Sequence, residues 1–412
     1  MSLILKGNIK SFLILLGGSS FSQILIIITL PILSSSYPKE SFAYLSLFTA
    51  ICSSIYPILT GRLNYALIGE ENNIHAKNIF NFSALYIFLA SFIFGVIIWV
   101  IYYLCDIKIV DQNFFRHIVL YVFFYSLFEI IISDINRLQK YLTLSFIKFF
   151  RVVFLISLYF FFINNFAGLV QSQIISLGLI SFFYIFFKKK LSYISLYELI
   201  QVFKKFKVFI LKNSIAASLN NLTLSIPIFY IGSIYGLEVL GAYSLFNMIA
   251  FAPLSMVSKS IAQVNNGNLI SLKNEKKPIR PYFNDIFKNI VFLSLFIIPI
   301  YLIFNNYFFD IFFDKDKWFL TKEITNVLIF GITVQFGATS LSTTIETLRR
   351  INRSTKIKFL MIFSSIIVHM ICYIFNFDFL DYILILTLEK IIIYLSYYYQ
   401  VNLSVNEFDN KL

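Results

Sequence analysis

The chain has 412 residues, 58% of them hydrophobic and only 13% charged, with a formal net charge of +13. Ordinary soluble domains carry roughly 25% charged residues, so this balance excludes a soluble globular protein. Apolar runs of about 18 or more residues, each able to cross a hydrocarbon core of about 30 Å, follow one another along the sequence, which predicts an all-α polytopic membrane protein.

The runs fall at 12–33, 42–60, 80–104, 117–135, 143–163 and 167–187, then at 213–233, 239–262, 288–305, 322–343, 357–376 and 379–401. The first is too long for a signal-peptide core. It ends in Ser34-Ser35-Ser36 with no small-x-small cleavage pattern, so it is expected to stay as the first helix. Twelve spans put both termini on one side of the membrane.

Two stretches lie 198 residues apart, YPKESFAYLSLFTAI at 37–51 and YGLEVLGAYSLFNMI at 235–249. At this offset Tyr37 meets Tyr235, Glu40 meets Glu238, and Ser46-Leu47-Phe48 meets Ser244-Leu245-Phe246. The aligned Tyr and Glu mark a short polar turn between long apolar runs, which predicts two copies of one membrane unit. The expected organisation is a six-helix lobe over 1–187, a basic linker over 188–212 and a second six-helix lobe over 213–412, the two lobes arranged around a central cavity. In the linker, Leu191, Ile194, Leu199, Phe203 and Phe206 recur at near-helical spacing, as in an amphipathic helix lying on the inner leaflet.

Lys and Arg concentrate in the loops on the side of the termini and in the linker. On the opposite side stand only Lys39, Lys108, Arg116, Lys315, Lys317 and Lys322, while Lys390 lies within the last span. The positive-inside rule then places both termini in the cytoplasm. The basic residues are spread over separate loops, which argues against nucleic acid as a partner and makes membrane lipid the expected one. The longest connection on the opposite side, about 305–321, is too short for a soluble catalytic domain. Cys52, Cys105 and Cys372 have no disulfide or metal spacing and read as small buried hydrophobes. His75, His117 and His369 are not spaced for metal, and no phosphate-binding glycine loop or nucleophile elbow occurs. No cofactor is expected.

The opening of the chain, GGSSFSQILIIITLPILSSSYPKESFAYLSLF, has a Gly-rich helix start, Gln23, the Pro31-Ile32-Leu33 exit and an acidic-x-Phe start to the second helix. Arg62-Leu63-Asn64-Tyr65-Ala66-Leu67 follows, and the second half contains YGLEVLGAYSLFNMIAFAPLSMVSKSIAQV. These segments resemble the O-antigen and polysaccharide-repeat-unit flippase branch of the multidrug/oligosaccharidyl-lipid/polysaccharide exporter superfamily. The chain departs from that pattern at three places: Asn64 stands where an acid is usual, and Ser34 and Asn247 stand where basic residues are common. The resemblance implies an inner-membrane flippase, not an enzyme, that moves an undecaprenyl-diphosphate-linked oligosaccharide to the periplasmic leaflet by alternating access. Other polysaccharide-assembly proteins are its implied partners. A multidrug or cation antiporter of the same superfamily is the first alternative. A membrane glycosyl polymerase or ligase is the second, and the short external loops argue against it.

Ionisable groups within a span cost about 2.5–3.5 kcal/mol on insertion scales and need a partner, a wet cavity or a route to the interface. Lys148 and Arg151 share one face of the fifth span and, with Arg62, are candidates to hold a diphosphate; anchoring at the interface is the competing reading. Gln23 aligns with Asn221 at the 198 offset, and Ser22 aligns with Asn220. These amides either line a two-lobed cavity or join helices. Glu129, Asp134, Glu346, Glu389 and Lys390 are candidates for ion coupling or gating. Asp134-x-x-Arg137 and Glu346-x-x-Arg349 end the fourth and tenth spans, as surface ion pairs or as a gate. Glu389 and Lys390 lie about 100° apart around their helix and cannot comfortably pair.

Overall fold

In a computed structural model, residues 21–70, 72–104, 112–187, 195–348 and 350–410 are described. They are helical almost throughout. The helices of the first half are α1 (Phe21–Ser36), α2 (Lys39–Thr60), α3 (Leu63–Ile68), α4 (Asn73–Leu104), α5 (Gln112–Arg137), α6 (Tyr141–Phe161), α7 (Gly168–Phe187) and α8 (Leu196–Val208). Then come α9 (Ser214–Ile234), α10 (Leu237–Phe246), α11 (Ala252–Asn274), α12 (Arg280–Ile303), α13 (Phe309–Phe312), α14 (Lys315–Ser340), α15 (Thr344–Thr347), α16 (Ile351–Ile374) and α17 (Phe379–Asp409). Among the described residues ten helices are long and apolar enough to cross a membrane. The other two expected spans correspond to α1 and to α17, whose apolar run is diluted by Glu389, Lys390 and a cluster of tyrosines. Cys105 and Arg349 lie outside the described residues.

The helices outrun the apolar spans because a helix need not stop at its first charge. The clearest case is 305–321, expected as a loop. A π-turn over Phe304–Phe308 carries α12 straight into α13, and α14 begins by Lys315. Phe313 and Asp314 break the run, and Trp318 kinks the start of α14. The Asp314 carboxylate accepts from the Lys317 backbone N–H at 2.9 Å, satisfying one donor that a helix start leaves open.

The chain packs as two compact units, Met1–Phe229 and Tyr230–Leu412, with the boundary inside α9. In the first unit the Tyr37 hydroxyl donates to the Tyr159 carbonyl at 2.6 Å, fastening the start of α2 to the end of α6. Gly168 makes this fit possible: a Cβ there would lie 2.3 Å from the Phe162 carbonyl oxygen and 2.8 Å from the Tyr37 hydroxyl. In the second unit Tyr235 does the same job, donating to the Phe377 carbonyl at 2.9 Å between α16 and α17. The two tyrosines aligned by the 198-residue offset thus each donate to a carbonyl near the end of a long helix, Tyr37 at the end of α6 and Tyr235 just after α16.

The described part of the linker is α8. Its Leu199, Val202 and Phe206, at i, i+3 and i+7, pack into the core of the first unit with Leu63, Ile79, Ile131 and Ile210. The face expected to rest on lipid is therefore partly a protein face. Phe203 instead lies exposed beside Ile200 and Tyr197, and Leu191 and Ile194 fall outside the described residues. A capping box opens the helix, since the Glu198 carboxylate accepts from the Ser195 N–H at 2.9 Å and Ser195 Oγ accepts from the Glu198 N–H at 3.3 Å. Two polar ties complete the docking: Asn78 Nδ2 donates to Glu198 at 3.0 Å, and Lys205 Nζ lies 3.1 Å from Glu70.

The hydrogen bond from Lys205 holds the Glu70 carboxyl below its ordinary range. A depressed carboxylate pKa contributes stability that is present above the unfolded value of about 4.3 and is lost as pH falls through the folded one. Amide exchange across α8, corrected for intrinsic pH dependence, should therefore rise below about pH 4. Glu70→Gln should raise it at neutral pH; equal protection in wild type and variant would remove Glu70 from the docking.

Candidate functional site

The break between α2 and α3 sets the first element of the site. Gly61 ends α2 in the left-handed region at φ 55, a common helix stop. Arg62 follows at φ 56, an uncommon conformation for a residue with a side chain. This turn puts the Arg62 guanidinium 4.0 Å from the centre of the Tyr65 ring. Its charge also acts on Tyr56, in the last turns of α2. Tyr56 lies beside the Asn221 side chain and feels the charge of Glu129, and its ring meets Tyr125 edge-on at 5.2 Å.

From Glu129 the cluster continues into α6. Lys148 lies within electrostatic reach of Glu129, and Arg151 and Glu129 both act on Tyr125. Arg151 Nη2 donates to Gln173 Oε1 at 2.8 Å, and Gln173 Nε2 donates to the Tyr159 hydroxyl at 2.8 Å. The Arg151 guanidinium stands 5.1 Å from the Phe128 ring centre. Tyr159 also takes the Tyr37 bolt on its carbonyl, so the site is anchored to the fastening of the first unit.

The structure thus brings together Arg62, Glu129, Lys148, Arg151 and Asn221 within one unit. Asn221 also donates to the Ser53 carbonyl at 2.6 Å, and its helix neighbours Ser218 and Ser225 bond the Ser54 and Ala50 carbonyls. This polar seam joins α9 to α2 in the manner of polar residues between membrane helices. Asn220 and Gln23 are half-buried on α9 and α1. Sequence reasoning missed Tyr56, Tyr125, Tyr159 and Gln173. Gln173, one of two amides (with Gln171) in the otherwise apolar first turns of α7, was the signal available.

The other candidates lie apart. Asp134, at the end of α5, is 3.7 Å from Arg137 and accepts from the Tyr184 hydroxyl at 3.4 Å; Arg137 reaches on to Asn73 at 3.0 Å. Glu346 is exposed, 3.4 Å from Lys358. In the second unit Glu389 accepts from Ser364 Oγ at 2.9 Å, while Lys390 donates to Gln335 Oε1 at 3.2 Å. Gly331 packs against the Lys390 stem, and a Cβ there would lie 3.3 Å from Lys390 Cβ. Glu389 and Lys390 thus find partners on different helices.

Among the described residues four half-buried arginines keep a buried Nε with no hydrogen-bond acceptor: Arg62, Arg137, Arg151 and Arg350. Arg137 and Arg350 have carboxylates within reach, Asp134 at 3.7 Å and Glu407 at 3.5 Å. Among the described residues Arg62 and Arg151 have no carboxylate at ion-pair distance. Both are half-buried cations whose buried Nε is unpartnered, a costly arrangement that an anionic ligand would relieve.

No protein-family model matches this chain, and no curated protein matches it. Solved structures do share its fold. It is similar to the lipid II flippase MurJ in an inward closed conformation, with a TM-score of 0.71 and 13% identity over 96% of this chain and 89% of that one. It is also similar to an inward-facing multidrug resistance MATE family transporter of the MOP superfamily, with a TM-score of 0.68 and 14% identity over 95% and 99%. The outward-facing MATE transporter gives 0.65 and 15% over 98% and 96%. At these identities the likeness is one of fold: the chain is a nearly all-helical, multi-pass membrane protein built like the MATE and MurJ structures.

Gln173→Leu should leave the Arg151 guanidinium without its acceptor and cost about 1–3 kcal/mol. Adding Arg151→Met should recover part of that loss, because removing both partners of a buried polar pair costs less than removing one. Thermal unfolding in detergent reads both. Additive losses would mean that the two side chains do not act as a pair.

Proposed function

We propose that this protein is a flippase of the bacterial inner membrane, with both termini cytoplasmic. Its cargo would be a polyprenyl-diphosphate-linked oligosaccharide, moved from the cytoplasmic to the periplasmic leaflet as two lobes alternate in access. The observation that carries this reading is the pair of half-buried arginines, Arg62 and Arg151, with Lys148 nearby and, among the described residues, no carboxylate paired to either guanidinium. A diphosphate offers the charge and acceptors that these donors lack. The MurJ likeness supports a lipid-linked cargo, and the positive-inside distribution supports the orientation.

A second reading, export of organic cations, is favoured by one feature of the same cluster. Glu129 stands among Tyr56, Tyr121 and Tyr125, and a carboxylate with aromatic faces suits a cation. The MATE likeness supports that reading equally.

Deleting the gene separates the two. The flippase reading expects loss of surface polysaccharide and build-up of lipid-linked repeat units on the cytoplasmic side, rescued by wild type but not by Arg151→Ala or Arg62→Ala at equal membrane abundance. Reporter fusions after residues 200 and 313 should read cytoplasm and periplasm. Intact polysaccharide with heightened sensitivity to ethidium would instead identify a cation exporter.

A further inference from the structure

A second feature is a groove of about 550 Å³ between α16 and α17, entirely within the second unit. Its walls include Ile357 and Leu360 from α16 and Leu395 and Tyr399 from α17, with Lys356 at one end. Leu360, Leu395 and Tyr399 are exposed, at 47%, 54% and 58%. They belong to an apolar stripe that continues along α17 through Leu384, Leu388 and Ile392. A stripe of this kind without charges on a membrane helix faces hydrocarbon.

A polar tie joins the two helices beyond the apolar end of the groove. Ser364, one turn beyond Leu360, donates to Glu389 at 2.9 Å and ties α16 to α17 there. At the other end the cations differ in their commitments. Arg353 is ion-paired to Glu407 and donates to Gln400 at 3.2 Å, and Lys358 pairs with Glu346 at 3.4 Å. Lys356 is exposed and, among the described residues, has no carboxylate at ion-pair distance. One uncommitted ammonium therefore sits at the end of a mostly apolar groove, on the side of the basic loops that the positive-inside rule assigns to the cytoplasm.

We infer that this groove is a binding site for one anionic glycerophospholipid of the cytoplasmic leaflet. Its phosphodiester sits at Lys356, and an acyl chain lies along Ile357, Leu360 and Leu395 as far as the Ser364–Glu389 tie. The charge count selects this occupant, because a single free lysine matches the single negative charge of a phosphodiester better than the greater charge of a diphosphate. Basic pockets between membrane helices on the cytoplasmic side are established headgroup sites. The inference is independent of the cargo proposed above and rests on the orientation alone.

Native mass spectrometry of the purified full chain, released from an equimolar mixture of phosphatidylglycerol and phosphatidylcholine, tests it. The wild type should retain one phosphatidylglycerol in preference to phosphatidylcholine. Lys356→Gln should cut that preference about fivefold, the effect of one lysine near a lipid phosphate. Leu360→Trp should fill the slot and abolish retention, while Lys358→Gln should change nothing. Equal retention of the two lipids by wild type would overturn the inference whether or not any variant folds. So would an unchanged preference in folded Lys356→Gln. Displacement of phosphatidylglycerol by equimolar undecaprenyl phosphate would assign the groove to a prenyl lipid instead and equally overturn it.

Discussion

Hydrocarbon offers no hydrogen bonds, so each polar group placed at membrane depth has to be satisfied from within the protein. The helices follow from that constraint, and so do the positions at which they touch. Tyr37 and Tyr235 each deliver a hydroxyl to a carbonyl left open where a helix ends. Asn221, Ser218 and Ser225 deliver theirs to carbonyls of α2. Lys390 and Glu389 take separate partners on α14 and α16. In each case a polar side chain fixes one helix against another, and the apolar surface fills in around it.

Against this background the cluster around Arg62 and Arg151 is unusual in what it leaves unspent. Gln173 holds Arg151 through a neutral amide, and aromatic rings hold both guanidinium groups by their faces. Neutral and aromatic partners position a cation without neutralising it, so its charge stays available to a ligand. Glu129 brings one negative charge into the same group, reaching Lys148 and the tyrosines. The site is consequently mixed in character, which is why anion and cation cargoes both draw support from it.

Much of this was legible in the sequence because membrane helices are written as long apolar runs. Tyr37 and Tyr235 interrupt such runs at matching places, and each donates its hydroxyl to a distant carbonyl, which the alignment alone did not indicate. What could not be read were features set by packing between distant segments. Spacing placed Lys148 and Arg151 on one face but could not show that Gln173, on the next helix, accepts from Arg151. Nor could it show that Gly61 and Arg62 would both turn left-handed and aim the guanidinium at Tyr65. The linker misled in a physically simple way: Leu199 and Phe206 form a good amphipathic face, but a protein core and a lipid surface ask for the same pattern. The 305–321 stretch misled because polar residues were taken to end a helix, whereas Asp314 begins one.

The account turns on whether the charge of Arg151 is free to hold a phosphate anion. The most direct measurement is the affinity of the purified protein in neutral detergent for a short-chain prenyl diphosphate, followed as a function of salt for wild type and Arg151→Ala. The account predicts binding that weakens as salt rises and falls by about tenfold or more in the variant, the loss expected for a charge-assisted hydrogen bond of about 1.5–3 kcal/mol. Salt-independent binding of equal strength in both proteins would contradict it.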